Sequence, residues 1–239
     1  MSGQKTLPKC KPVCGNCLLS SKTGHIFGGK QAKLGYFPWQ LQLVTTRGEM
    51  GGGALISDRW VLTVAHLFDN LLQVEIHGGL VDLRGRTPEG ELPMELAFIH
   101  PSYREQVVGR QPNFNHDIAL IKLREKVKLG SSLSPVCLPG PGGASLPEDG
   151  SLGYISESGK MEKGRLAMIL QYAEVPIVSM DECKNSNYDG PKPIFTLNMI
   201  CTGLPVIASC QGDSGGPYVF IDPLNPTHHI VRVIMLFGC

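Results

Sequence analysis

From Ile26 onward, apolar and β-branched residues come in short runs separated by Gly, Pro and Asp. The runs include Gln40 to Thr45, Arg59 to Val64, Leu71 to Ile76, Ile118 to Leu123 and Ala167 to Val178. Their lengths fit strands, and turn residues punctuate them at intervals that suit a sandwich or barrel better than alternating strand–helix units. Long helical periodicity is missing, and no block of residues repeats. The spacing therefore predicts an all-β fold. Before Ile26 the pattern changes. Residues 1–25 are rich in Lys, Pro, Gly and Cys without a hydrophobic period, and they read as a linker. A second break, LPGPGGASLPEDGSL over residues 138–152, is too rich in Gly and Pro for a central strand. It is a long surface loop, a connection between two halves of similar size, or both.

Composition narrows the picture in three ways. The chain has 239 residues, 42% of them hydrophobic, enough for one large β domain or two small ones. Its 22 Lys and Arg nearly balance 21 Asp and Glu, so charge gives no reason to expect nucleic acid or an anionic membrane as partner. No apolar run approaches the roughly 18–20 residues of a membrane span; Ile230 to Phe237 is strand-sized and interrupted by Arg232. Eight cysteines, spread from Cys10 to Cys239, suit a disulfide framework formed in an oxidising compartment. Cys14 and Cys17 form a CxxC pair, but no second pair or nearby His completes a zinc set, and no metal or cofactor is expected. The first residues carry no apolar signal region, which points to a piece of a longer secreted chain. The one Asn-x-Thr, Asn225-Pro226-Thr227, has Pro in the middle, so no N-glycan is expected.

Three segments carry chemistry. In Gly212-Asp213-Ser214-Gly215-Gly216-Pro217 a serine is flanked by glycines, which suits a tight turn that exposes its oxygen and lets backbone N–H groups reach a substrate carbonyl. Trp60 to His66 is an apolar run ending in histidine, and Asn115-His116-Asp117-Ile118-Ala119-Leu120 places an aspartate just before another. Singly, these read as an ordinary turn, a packed histidine and a turn residue. A serine hydroxyl needs a base, histidine is suited to be one near neutral pH, and a carboxylate behind the ring fixes its tautomer.

TVAH, NHDIAL and GDSGGP, in that order and preceded by Phe37-Pro38-Trp39-Gln40, resemble the chymotrypsin family of serine proteases from Ile26 to Cys239. Leu67 after His66, where most members have cysteine, and segments such as Leu7 to Gly15 and Ser134 to Gly140 are similar to the complement initiator proteases. The resemblance implies two packed antiparallel Greek-key barrels over residues 26–239, behind a linker carrying the remnant of a sushi module. It assigns His66 as base, Asp117 as orienter and Ser214 as nucleophile, with the N–H groups of Gly212 and Ser214 as oxyanion hole. It implies a secreted zymogen acting on protein substrates, with other complement components met through modules outside this chain. Cleavage before Ile26 would free an amine to pair with Asp213. Disulfides Cys14–Cys137, Cys183–Cys201 and Cys210–Cys239 are implied as well. Cys10 is left with a partner in an upstream module and Cys17 with no counterpart, unless the two pair with each other.

The sequence departs from that family at four places. His25 precedes Ile26 where an activating cut requires Arg. Ala208 occupies the floor of the specificity pocket, where an Asp would select Arg or Lys, so apolar or aromatic side chains are expected. Ser156-Glu157-Ser158-Gly159 replaces a motif with a large packing residue. Leu236-Phe237-Gly238 stands where a Ser-Trp-Gly segment would hold the substrate backbone, and the closing strand of the second barrel has no counterpart. The competing reading is a non-catalytic, haptoglobin-like binding protein, although such proteins lose triad residues that are all present here.

Overall fold

The computed structural model describes residues 14–17, 29–69, 73–87, 90–103, 107–108, 111–140, 147–157, 168–186, 192–203 and 214–236. Its strands, in chain order, are β1 (Lys30–Gln31), β2 (Gln40–Thr45), β3 (Met50–Leu55), β4 (Trp60–Thr63), β5 (Val74–Gly78), β6 (Met94–Ile99), β7 (Val107–Val108), β8 (Gln111–Pro112), β9 (Ala119–Leu123), β10 (Leu152–Glu157), β11 (Gln171–Val178), β12 (Cys201–Thr202), β13 (Pro217–Asp222) and β14 (Asn225–Ile234). One short α-helix, α1 (Met180–Asn185), follows β11; Ser179 caps it by accepting from the Glu182 N–H.

Among the described residues two six-stranded antiparallel sheets dominate, as the all-β, two-barrel expectation required, and β7 and β8 form a small separate pair. The first runs β5-β2-β3-β4-β9-β6. The segment entering β6 closes it, because Leu92 N donates to Ile76 O at 2.8 Å and Glu91 bridges His77, so the sheet's two edges meet. Closure removes the unpaired edges that an open sheet would present. The second sheet runs β1-β11-β10-β13-β14, with β12 paired to β11. Along the outer side of β14, His229 N donates to Gly15 O, and Val231 N to Cys137 O.

The alternation of side chains along the second sheet serves two cores at once. Tyr154, Tyr172 and Val219 face a large cluster shared with Trp39, Leu41, Leu43, Val61, Ile76 and Ile121 of the first sheet. Their strand neighbours Ile155, Ala173 and Tyr218 pack with Val175, Ile177 and Phe220 in a smaller one. A polar link crosses between the sheets: the buried Ser156 hydroxyl donates to Gln40 Oε1 at 2.7 Å. Of the segment that departs from the family's pattern, Ser156 makes this link, while Ser158 and Gly159 lie outside the described residues.

Sequence and structure differ most at β3. Its stretch Met50-Gly51-Gly52-Gly53-Ala54-Leu55 has poor strand propensity, yet it is a central strand. The reason is close approach. A Cβ on Gly52 would lie 2.7 Å from Gly216 Cα, and one on Gly51 would lie 2.6 Å from Leu67 Cδ1. Glycine alone lets the turn after Ser214 and the residue after His66 sit against this strand. Of the 138–152 break, residues 138–140 and 147–151 are outside regular strands and β10 begins at Leu152.

The linker is anchored where it is described. Cys14 is bonded to Cys137, Gly15 N donates to Pro135 O at 2.8 Å, and Asn16 bridges His228. Cys183 is bonded to Cys201, joining α1 to β12. Cys10, Cys210 and Cys239 lie outside the described residues. Among the described residues no helix is long and apolar enough to cross a membrane.

Candidate active site

Sheet register brings the first two residues together. β4 and β9 are antiparallel with Thr63 opposite Ala119. His66 lies just past the end of β4 and Asp117 just before the start of β9, so both emerge at the same end of the sheet. The Asp117 side chain is completely buried and both its oxygens are used. Oδ1 accepts the backbone N–H of His66 at 2.8 Å, and Oδ2 lies 2.6 Å from His66 Nδ1. A carboxylate can only accept, so the ring proton resides on Nδ1 and leaves Nε2 as an acceptor. The imidazole is 21% exposed. Phe114 packs edge-on against the ring with centroids 6.4 Å apart.

Ser214 enters from the second sheet on the turn preceding β13. Gly215, at φ +90°, lies in the left-handed region, and its N–H donates to Met235 O at 2.7 Å. Two hydrogen bonds tie this turn to the His66 strand through β3. Gly52 N donates to Ser214 O at 2.8 Å, and the Thr63 hydroxyl donates to Gly52 O at 2.8 Å. Among the described residues, the Ser214 hydroxyl donates to the Leu236 carbonyl at 3.0 Å, not to His66. His66 and Asp117 are therefore in contact, while Ser214 is bonded through its backbone carbonyl to Gly52 of β3 and through its hydroxyl to Leu236.

Of the other residues singled out in the sequence, Gly212, Asp213, Ile26, Ala208, Phe237 and Gly238 lie outside the described residues. Among the described residues no cluster of three or more His, Cys, Asp or Glu is arranged to hold a metal.

The structure adds a carboxylate that sequence reasoning missed. Asp69 ends the single turn of 3-10 helix that begins at His66, and it accepts the Tyr103 hydroxyl at 3.0 Å. Burial pushes its carboxyl up from the usual range, against the opposing effects of the Tyr103 bond and the His66 charge; Asp117 adds a further upward push. Its sequence signal was its place three residues after His66, one helical turn on. The glycines of β3 carried no chemical signal at all, since their role is to be small.

Comparison with known proteins gives the chain's family. The chain is 37% identical over 226 residues to a calcium-dependent serine proteinase of Mesocricetus auratus, a match covering 91% of this chain and 32% of that protein. It is 38% identical over 226 residues to the complement C1s subcomponent of Rattus norvegicus, with coverage of 91% and 32%. A complement C1r subcomponent-like protein of Mus musculus is 37% identical over 230 residues, covering 91% and 46%. The chain spans about a third of the length of the first two of these relatives. The family model described as Trypsin matches residues 26–231, and the chain belongs to the trypsin family.

Proposed function

We propose that this chain is the serine endopeptidase domain of a secreted protease of the complement initiator type, and that His66, Asp117 and Ser214 carry its chemistry. The observation that supports it most is the two-pronged grip of Asp117 on His66, through Nδ1 at 2.6 Å and the backbone N–H at 2.8 Å. A buried carboxylate in that position orients the ring, fixes Nε2 as acceptor and stabilises the imidazolium that forms when a proton arrives.

In the proposed cycle the Ser214 hydroxyl leaves the Leu236 carbonyl for His66 Nε2 by rotating about Cα–Cβ between staggered positions. Its oxygen attacks the scissile carbonyl as its proton passes to Nε2. The N–H groups of Gly212 and Ser214 receive the developing oxyanion; one such donor is typically worth about 2.7–4 kcal/mol of barrier. The imidazolium then protonates the departing amine, and water repeats the sequence to release the acid. Activation by an Ile26 amine paired with Asp213, and an uncharged pocket floored by Ala208, complete the reading on the strength of the sequence. Protein substrates, zymogen processing and engagement of other complement components through upstream modules belong to the same proposal.

A fluorophosphonate probe tests it directly. Covalent labelling of the folded chain, abolished in Ser214→Ala, is the expected result. A folded sample that resists labelling would overturn hydrolysis in favour of the haptoglobin-like binding reading, for which the Ser214–Leu236 bond is the favouring observation. A peptide library then reads the pocket, and selection of Arg beside the cleaved bond would refute the role given to Ala208.

A further inference from the structure

The turn that delivers Asp117 is held from both sides, and the two sides differ in kind. On one, Asn115 Oδ1 accepts from the Thr196 hydroxyl at 3.1 Å and from Asn198 Nδ2 at 2.9 Å, which ties the turn to the segment before β12. On the other stands His116. Among the described residues it is the single non-glycine residue with positive φ, at 59°. That left-handed conformation is disfavoured for most side chains, though His tolerates it better than a β-branched residue. Its imidazole lies flat on that of His100, with centroids 4.8 Å apart and planes 5° from parallel.

Sheet register places that partner. His100 follows β6, whose Ile99 pairs with Ala119 of β9, and His100 N donates to Ile118 O at 3.0 Å. The His100 Nδ1 accepts from Ser102 N at 3.1 Å, which fixes the ring's orientation. Ile118 N in turn donates to His116 O at 2.8 Å, so Asp117 is the middle residue of a tight turn whose first corner is His116.

We propose that His116, stacked on His100, is a positioning residue for catalysis: it holds the left-handed corner that aims the Asp117 carboxylate at His66. A residue unable to adopt that corner would relax φ and swing the next Cα–Cβ bond. The two short bonds to His66 would then be lost together. The inference rests on the protease reading above for its effect on rate, but not for its effect on the Asp117–His66 contact.

Three variants of the full chain test it: His116→Val, β-branched and hostile to the left-handed region; His116→Asn, which tolerates it; and His100→Ala, which removes the stacking partner. Thermal melts establish that each is folded. Fluorophosphonate inactivation separates the maximal rate from the half-saturating probe concentration. Proton NMR reads the Nδ1 proton of His66, whose short charge-assisted bond gives a strongly deshielded signal. For His116→Val the expected result is loss of that signal and a fall in the maximal rate of about tenfold or more at unchanged half-saturation. His116→Asn should keep both near the parent, and His100→Ala should fall between. Equal rates and signals in all three folded variants would overturn the proposal, as would absence of the signal in the parent chain. If the parent shows the signal but resists labelling, and His116→Val alone loses the signal, the positioning role stands and the protease reading falls.

Discussion

Asp117 shows how much one buried side chain decides. Its two oxygens meet the two donors of His66, one on the ring and one on the backbone, and none of the carboxylate is exposed. Replacing it with Asn preserves shape but puts an NH2 group where an acceptor stood. The ring proton then has to move to Nε2, the atom that should receive the serine proton. We expect Asp117→Asn to remain folded and to lose roughly 10^4-fold in the rate of fluorophosphonate labelling. A variant labelled at close to the parent rate would show that the carboxylate does not govern the base. The pairing of His66 with Asp117 was legible through the resemblance that TVAH and NHDIAL carry; taken singly, the two read as a packed histidine and a turn residue. The orientation of Ser214 toward Leu236 was not, because a hydroxyl rotamer depends on carbonyls brought near by the far end of the chain.

At the scale of elements, strands with a clear apolar pattern were readable and those shaped by contact were not. Gln40 to Thr45 is a strand end to end, and the Arg59–Val64 and Ile118–Leu123 runs contain β4 and β9. β3 escaped because packing, not propensity, selects its glycines, and α1 because a helix of six residues is too short to show a period. The tight fit at β3 has a measurable consequence. Gly52→Ala would push a methyl into Gly216 backbone 2.7 Å away, where no flexible side chain can yield. We expect a loss of about 1–3 kcal/mol in stability and slower labelling of Ser214, since the displaced turn is the one that carries it. Unchanged denaturant midpoint and labelling would mean that β3 and the turn part at little cost. The Cys14–Cys137 bridge stabilises by another route. It closes a loop spanning 123 positions, and in the chain-entropy model such a crosslink is worth about 5 kcal/mol. Replacing both cysteines with serine should lower stability by about 2–5 kcal/mol in urea titrations, with Gly15 still bonded to Pro135. A double variant as stable as the parent would show that backbone hydrogen bonds alone secure the linker.

At the scale of the whole molecule, linker, first sheet and second sheet meet at His229. Its ring is buried between Trp39, at 5.4 Å, and Tyr154, at 6.0 Å between centroids, and Nδ1 lies 3.2 Å from Gly15 O and 3.6 Å from Cys17 Sγ. Burial lowers its affinity for a proton below the ordinary value, more than the Gly15 carbonyl raises it, and neighbouring His228 lowers it further. The unfolded chain, where this histidine has its usual pKa of about 6.5, therefore binds more protons than the folded one. Stability tied to His229 is complete above that pH and drains away as pH falls below it. We expect the melting temperature to fall between about pH 7 and pH 5, and the fall to be shallower in His229→Gln, which has no charge to acquire. Asp69 acts in the opposite sense, because its raised carboxyl favours the folded state as acid is added, so it cannot account for such a loss. Parallel pH profiles for the two proteins would place the acid sensitivity elsewhere. Because Gly15 and Cys17 lie against the same ring, protonation there should loosen the linker before the sheets separate. Amide exchange at Gly15, whose N–H is bonded to Pro135 O, would accelerate at pH 5.5 ahead of amides in β2 and β9 if this order holds.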